Sequence, residues 1–298
     1  MTAFALAGGA HVFTVDVEEY FQVHAFAPHV AATEWDSLPS RVEQNVDEFL
    51  EMFAERDVFG TFFVLGWIAE RHPGLVRRIA DAGHEVASHG WSHRRLTDLS
   101  RDEVREELRS SKSILEDLSG QPVRGFRAPG FSVTPGMEWV FDTLLEEGYL
   151  YDSSLFPIRR PAYGYPGISP APHLISRDGG TLLELPLATW DWQGVRLPAG
   201  GGGYFRQFPY EVTRRALQQS AQRGVPATFY LHNWEVDLDQ PRLRVPLLSR
   251  IRHYRGLSKV HSRLQRLLSE FAFTSVARRF QLREDGLSGD LLASVLSS

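Results

Sequence analysis

The sequence predicts an α/β fold with a mainly parallel sheet, and two observations support this class. Short apolar or β-branched runs alternate with segments of helical periodicity between residues 11 and 232, as expected when helices connect parallel strands. About seven strand signals precede His232, and most of the polar residues that could carry chemistry directly follow one of them. Because α/β barrels carry their active sites at the carboxyl ends of the strands, we expect a barrel-like arrangement.

The individual elements follow from periodicity and from residues that begin or end helices. Strands are predicted at residues 12–17, 61–65, 85–88, 123–127, 149–152, 182–189, 227–231 and 273–276. Capping boxes at Ser40 with Glu43 and at Ser100 with Glu103 predict two helix starts, because each pair satisfies free N–H groups of a first turn. Further helices are predicted at 73–82, from Thr134-Pro135 to Gly148, at 210–222 and along the apolar stripe 260–268, with loops at 157–172 and 198–203.

Composition and charge exclude several classes of protein. The net charge of −5 argues against a dedicated nucleic-acid binder. Without cysteine, neither disulfides nor a thiolate metal site can form. No apolar run reaches the roughly 18 residues of a membrane span, and the first ten residues lack the basic region of a signal peptide. We therefore expect a cytoplasmic protein and leave its oligomeric state open.

A histidine pair, His89 and His93, predicts a metal site. Four residues apart on a helical turn, the two imidazoles would lie on one face, roughly 5–6 Å apart at Cβ. Zinc accepts histidine nitrogen and often completes a catalytic site with one carboxylate and an open water position. Asp16 and Glu18 end the first strand and project to the same side of it, because side chains alternate with a period of two. We predict one divalent metal, zinc, with cobalt or nickel as alternatives.

Four motifs in order resemble those of carbohydrate esterase family 4, the NodB-homology polysaccharide deacetylases. They are Thr14-Val-Asp-Val-Glu-Glu19, Ser88-His-Gly-Trp-Ser-His93, Arg127-Ala-Pro-Gly130 and Leu231-His-Asn-Trp234. Segments at 15–21, 151–157, 201–206 and 252–254 are similar to the branch from exosortase (PEP-CTERM) loci. The resemblance implies a distorted (β/α)7 barrel of the NodB-homology type at 11–235, a C-terminal helical extension packed on it at 236–280, and a loosely ordered tail at 281–298.

The resemblance also implies metal-assisted hydrolysis of an N-acetyl group, with a role for each motif residue. Glu18, His89 and His93 would bind the metal, and Asp16 would take a proton from water. The family usually has two adjacent aspartates where this chain has Asp-Val-Glu. Direct binding of the metal by Asp16 therefore stays an alternative.

Two further catalytic residues and a set of substrate contacts are predicted. Arg127 resembles the arginine that pairs with the catalytic aspartate and keeps it ionised. His232 resembles the general acid that protonates the leaving nitrogen, and Asp152 and Asp191 are the two candidates for its carboxylate partner. The remaining predicted substrate contacts are Gly130, whose backbone N–H would face the oxyanion, Trp234, which would wall the acetyl pocket, Tyr204, and Arg206, which would meet an anionic part of the substrate.

Two other patterns are given less specific interpretations. The glycine run at 200–203 lacks the Gly-Lys-Ser/Thr ending of a phosphate-binding loop, so we reject nucleotide binding and predict a mobile substrate loop. A basic stretch predicts a solvated face, with contact to anionic glycan or lipid phosphate at a membrane surface as the alternative. It consists of Arg242, Arg244, Arg250, Arg252, Arg255 and Lys259.

The leading hypothesis is a metal-dependent deacetylase. Its substrate would be an N-acetylated amino-sugar glycan or lipid-linked precursor in exopolysaccharide biosynthesis. One alternative is a related hydrolase of a small cyclic amide or formamide. The other is a non-catalytic glycan-binding module.

Overall fold

Parallel strands and connecting helices alternate through the computed structural model, which describes residues 9–160, 163–283 and 286–287. The strands are β1 (His11–Val17), β2 (Thr61–Val64), β3 (Glu85–Ser88), β4 (Gly125–Phe126), β5 (Tyr151–Asp152), β6 (His173–Arg177), β7 (Gly180–Glu184), β8 (Thr189–Trp192), β9 (Val195–Pro198), β10 (Thr228–His232) and β11 (Phe273–Thr274). The helices are α1 (Val42–Ala54), α2 (Gly66–Arg71), α3 (Pro73–Asp81), α4 (Arg101–Ser119), α5 (Trp139–Glu146), α6 (Gly202–Gln207), α7 (Tyr210–Gln222), α8 (Leu247–Tyr254), α9 (Val260–Glu270) and α10 (Val276–Phe280).

Seven of these strands run parallel in the order β10-β1-β2-β3-β4-β5-β7, which confirms the predicted α/β class. β6 pairs antiparallel with β7, and β11 adds to β1 in parallel. No continuous ladder joins β7 to β10 in the described ranges, but Leu187 forms an isolated parallel bridge with Thr228. The Ala188 N–H also donates to the Thr228 carbonyl at 3.0 Å. The sheet therefore curves so that the chain after β7 meets β10, the strand at the other end of the sheet.

The central strand β1 is buried along its whole length. It packs with α1, β2 and β10 in one apolar cluster that includes Phe13, Phe49, Phe53 and Phe229. The parallel register places Asp16 beside His232 at the carboxyl ends of β1 and β10. The predicted functional residues of the first and last motifs thus lie side by side at the carboxyl ends of adjacent strands.

Helix starts were predicted with mixed success. The Ser100–Glu103 capping box is present at α4. The Ser40–Glu43 box is wrong, because the Glu19 carboxylate accepts the N–H groups of Arg41 and Val42 instead. The start at Thr134-Pro135 is also wrong: the chain turns at Gly136, whose φ is +94°, and α5 begins only at Trp139.

The region after β7 differs most from the prediction. A single strand at 182–189 is wrong, since β7 ends at Glu184 and β8 pairs with β9 in a separate two-stranded sheet. Pro186 lies between them and cannot donate a ladder hydrogen bond. The run at 198–203, expected to be a loop, contains the first two residues of α6. Residues 161–162 of the predicted loop, and residues 284–285 and 288–298 of the predicted tail, lie outside the described residues.

The predicted C-terminal extension contacts the sheet directly. β11 pairs with β1, and the Val276 N–H at the start of α10 donates to Thr61 Oγ1 at 2.9 Å. The boundary at residue 235 stays a prediction. Among the helices of the described ranges, none combines the length and apolar character needed to cross a membrane.

Candidate metal centre and active site

The two histidines of the second motif lie on a loop that α4 holds in place. The prediction of a helical turn is wrong, because Gly90 and His93 have φ values of +76° and +55°. The Glu107 carboxylate of α4 accepts the backbone N–H groups of Trp91 at 2.6 Å and Ser92 at 2.9 Å. These N–H groups are therefore satisfied without helical hydrogen bonds. The two imidazole rings still converge, with centroids 5.5 Å apart.

Glu18, His89 and His93 form the candidate metal-binding group. Their potential ligand atoms all lie within 4.8 Å of one another. Glu18 Oε2 is 2.6 Å from His93 Nε2, and no donor reaches this buried oxygen with good hydrogen-bond geometry. A buried carboxylate oxygen rarely lacks a hydrogen-bond partner, and one directed at an imidazole nitrogen is suited to share a bound cation with it. Two imidazoles and one carboxylate match a catalytic zinc site.

Neighbouring groups orient these ligands. His89 Nδ1 lies 2.7 Å from the Arg127 carbonyl, so it donates there and leaves Nε2 free for a metal. The Trp234 indole N–H donates to Glu18 Oε1 at 2.9 Å, which leaves Oε2 directed at His93. Among the described residues, the candidate ligand group therefore contains Glu18 and does not include Asp16.

The protonation states suit metal binding at neutral pH. Burial lowers the pKa of His89 to about 4, so its imidazole is neutral and can act as a ligand. Burial alone would raise the pKa of the Glu18 carboxyl. The facing imidazoles of His93 and His232 outweigh burial and hold that pKa well below its usual range.

Beside the ligand group, Asp16 pairs with a fully buried arginine. Arg127 Nη1 donates to Asp16 Oδ1 at 2.6 Å and to Thr14 Oγ1 at 2.7 Å. Its other nitrogens donate to the carbonyl and hydroxyl of Ser153 at 3.2 and 2.9 Å. The guanidinium also lies over the Phe63 ring, 4.2 Å from its centroid. This network fixes the orientation of the Asp16 carboxylate.

His232 is held by a glutamate that the sequence analysis missed. His232 Nδ1 lies 2.8 Å from Glu235 Oε1, which also accepts the His232 backbone N–H at 3.0 Å. Nε2 is left facing Glu18, 3.8 Å from Oε1. Burial opposes protonation of His232, but the carboxylates of Glu18 and Glu235 raise its pKa to about 9. The three-residue spacing of His232 and Glu235 was a sequence signal for this pair.

Both predicted partners of His232 are wrong. The Asp152 carboxylate is buried and accepts hydrogen bonds from the hydroxyl and backbone N–H of Ser154. Asp191 forms ion pairs with Arg196 and Arg223, on the two-stranded sheet and the end of α7. Neither carboxylate lines the pocket that contains His232.

The glycine run and α6 have a structural role. A Cβ at Gly201 would lie 1.7 Å from the Tyr230 carbonyl oxygen, so the run is packed against β10, and the prediction of a mobile loop is wrong.

Arg206 is buried; its Nε donates to Glu235 Oε2 at 2.5 Å, and its Nη atoms donate to carbonyls at the end of α8. Tyr204 hydrogen-bonds Tyr163 and does not line the pocket. Arg206 does line the pocket, but its guanidinium nitrogens already donate to Glu235 and to the carbonyls at the end of α8.

These side chains surround a pocket of about 180 Å³ at the carboxyl ends of the strands. Seven predicted site residues line it with Arg206: Asp16, Glu18, His89, His93, Gly130, His232 and Trp234. Six further residues line the pocket that were not among the predicted site residues: Val23, His24, Ala25, Phe131, Arg252 and His253. His253 stacks on Trp234 with centroids 4.2 Å apart, so the C-terminal extension forms part of the wall.

Fold and site together define an α/β protein with a candidate mononuclear metal centre at the strand ends. Residues 25–142 match the family model described as Polysaccharide deacetylase. Residues 153–281 match a second model, described as a domain of unknown function (DUF3473). The segment 25–142 is thus similar to polysaccharide deacetylases, both by this model and by the curated relatives that follow.

The chain is 35% identical over 82 residues to a peptidoglycan-N-acetylglucosamine deacetylase of Bacillus cereus, covering 28% of this chain and 30% of that protein. It is 40% identical over 83 residues to a chitooligosaccharide deacetylase of Sinorhizobium fredii, covering 28% and 39%. These alignments span less than two thirds of the relatives' own length. The fold is shared with the crystal structure of a putative polysaccharide deacetylase from Mycobacterium smegmatis, with a TM-score of 0.62 and 22% identity over 100% of this chain and 94% of that one.

Proposed function

We propose that this protein is a metal-dependent deacetylase that hydrolyses N-acetyl groups of an amino-sugar glycan. The observation that carries the proposal is the convergence of Glu18, His89 and His93 next to the Asp16–Arg127 and His232–Glu235 pairs. A metal site with a fixed base on one side and a fixed acid on the other suits amide hydrolysis.

Each residue contributes a defined part of that reaction. A divalent cation held by Glu18, His89 and His93 would activate a water molecule and polarise the acetyl carbonyl. Asp16, oriented by Arg127, accepts the proton of the attacking water. His232 donates a proton to the leaving sugar nitrogen, which departs as a free amine with acetate as the other product.

The remaining residues bind and shield the substrate. Trp234 walls the pocket beside His232, with ring centroids 4.9 Å apart, and excludes water from the acetyl group. Gly130 lines the same pocket, and its backbone N–H is proposed to face the developing oxyanion. Arg206 acts through Glu235 and is proposed as a positioning residue for His232.

The choice of an amino-sugar glycan as substrate is supported by the names of two relatives, a peptidoglycan-N-acetylglucosamine deacetylase and a chitooligosaccharide deacetylase. We propose zinc as the metal, with cobalt or nickel as alternatives. Three finer points remain predictions of the sequence: membership of the exosortase-locus branch, a part in exopolysaccharide biosynthesis on a polymer or lipid-linked precursor, and location in the cytoplasm.

Acetate release from chito-oligosaccharides and acetylated lipid-linked sugars tests the proposal in zinc-loaded protein. We expect release by the unaltered chain and its loss in Asp16→Asn. Asp191→Asn is the matched control, because the Asp191 carboxylate pairs with Arg196 and Arg223 and does not line the pocket. Tight glycan binding without acetate would contradict the proposal and favour a binding module. Hydrolysis confined to cyclic amides or formamides would favour the other alternative.

A further inference from the structure

The segment 238–255 exposes an unusual share of apolar surface. Six large apolar residues are exposed in the described part of the chain, and four of them lie in this segment. They are Leu238, Leu247, Leu248 and Ile251, of which Leu247 and Leu248 are 68% and 70% exposed. Scattered apolar residues on a surface are ordinary, but a cluster marks a contact site.

The same segment is strongly basic. Its exposed arginines are Arg242, Arg244, Arg250, Arg252 and Arg255, against a single exposed acidic residue, Asp239. Within the described ranges, none of these five guanidinium groups lies within salt-bridge distance of a carboxylate. On α8, Leu247 and Ile251 are one turn apart, as are Leu248 and Arg252, so apolar and cationic side chains share one surface. We refer to 238–255 as the apolar–basic segment.

This segment is firmly attached to the pocket. Arg206 donates to the carbonyls of Arg252, His253 and Arg255 at the end of α8, where a cation is favourable. His253 is buried, and Arg252 and His253 line the pocket. The exposed surface of α8 and the pocket entrance are therefore adjacent and held by the same arginine.

We infer that the apolar–basic segment docks on the surface of an anionic lipid bilayer. A helix of eight residues is about 12 Å long and would lie in the interface, with leucines among the acyl chains and arginines at the lipid phosphates. Charge decides the occupant: anionic lipid complements the five arginines, whereas a two-fold contact with a second copy would place like charges together. The inference goes beyond the proposed function, because docking requires neither metal nor hydrolysis.

Co-sedimentation of the full chain with vesicles tests this inference. The two probes are vesicles of phosphatidylcholine alone and vesicles that also contain about 30 mol% phosphatidylglycerol. We expect binding to the anionic vesicles, weakened by salt. Arg244→Gln with Arg250→Gln should weaken it about 30-fold, since each arginine near the surface contributes about fivefold. Leu247→Ser with Leu248→Ser should weaken it at least about tenfold.

The β8–β9 hairpin offers a matched apolar control. Trp192 and Val195 are the other two exposed large apolar residues, so Trp192→Ser with Val195→Ser removes comparable apolar surface elsewhere and should leave binding unchanged. Equal circular dichroism and zinc binding in all variants would show that the fold is intact. Absence of binding to anionic vesicles, or equal loss in the hairpin variant, would overturn the inference. So would self-association that the Leu247 and Leu248 changes abolish, in a chain that does not bind vesicles. Failure to release acetate would leave this test unaffected.

Discussion

Replacing Arg127 by methionine should be among the most destabilising single changes in the chain. Arg127 is completely buried and donates four hydrogen bonds, one to Asp16, one to Thr14 and two to Ser153. Methionine keeps most of the aliphatic length but leaves the buried Asp16 carboxylate without its cation. Breaking a buried pair in this way costs about 3–5 kcal/mol of unfolding free energy.

Urea unfolding in the presence of a chelator, followed by tryptophan fluorescence, measures this effect. Asp16→Asn alone leaves the Arg127 cation unpaired and should cost a similar amount. The double variant removes both charges, so its penalty should be smaller than the sum of the single penalties by about 2 kcal/mol or more. Strictly additive penalties, or a cost below about 1 kcal/mol for Arg127→Met, would refute the buried-pair argument.

Three further changes test other parts of the structure. His11 and His84 each accept a backbone N–H at Nδ1, and burial lowers the pKa of both to about 4. As pH falls from 6.5 to 4, the unfolded chain takes up protons that the folded chain does not, so stability should fall by up to roughly 3 kcal/mol per histidine. His84→Gln should flatten that slope in urea titrations and the exposed His29→Gln should not. Glu107→Ala should lower zinc affinity by about 10- to 100-fold in calorimetry, because the N–H groups of the histidine loop lose their acceptor. Glu106 is exposed, so Glu106→Ala is the control. Equal zinc affinities in the two variants would contradict a positioning role for Glu107. Glu235→Gln should lower kcat by about 10- to 100-fold with zinc affinity unchanged, and an unaltered kcat would exclude it as the partner of His232.

The residues of the site could be predicted where local pattern determines geometry. Alternation on β1 placed Asp16 and Glu18 on one side, and parallel strand ends brought them to His232. The choice between the two carboxylates as metal ligand depended on the position of the histidine loop. That loop depends on Glu107 of α4, which periodicity does not reveal.

Long-range contacts explain most of what the sequence did not predict. Arg206 was expected to meet substrate, but it binds carbonyls 46 to 49 residues away at the end of α8. The Glu19 cap of α1 spans more than twenty residues, so the nearby Ser40–Glu43 pattern was misleading. Apolar residues on α8 would ordinarily predict a buried face, and only the tertiary structure shows Leu247 and Leu248 exposed.

Calorimetric titration of zinc into the metal-free chain tests the central claim most directly. We expect one zinc site per chain, with zinc affinity lowered at least about 100-fold in Glu18→Gln. Asp16→Asn should retain zinc affinity within about threefold while losing acetate release. Zinc binding that survives Glu18→Gln and is lost in Asp16→Asn would contradict the account, because the carboxylate ligand would then be Asp16.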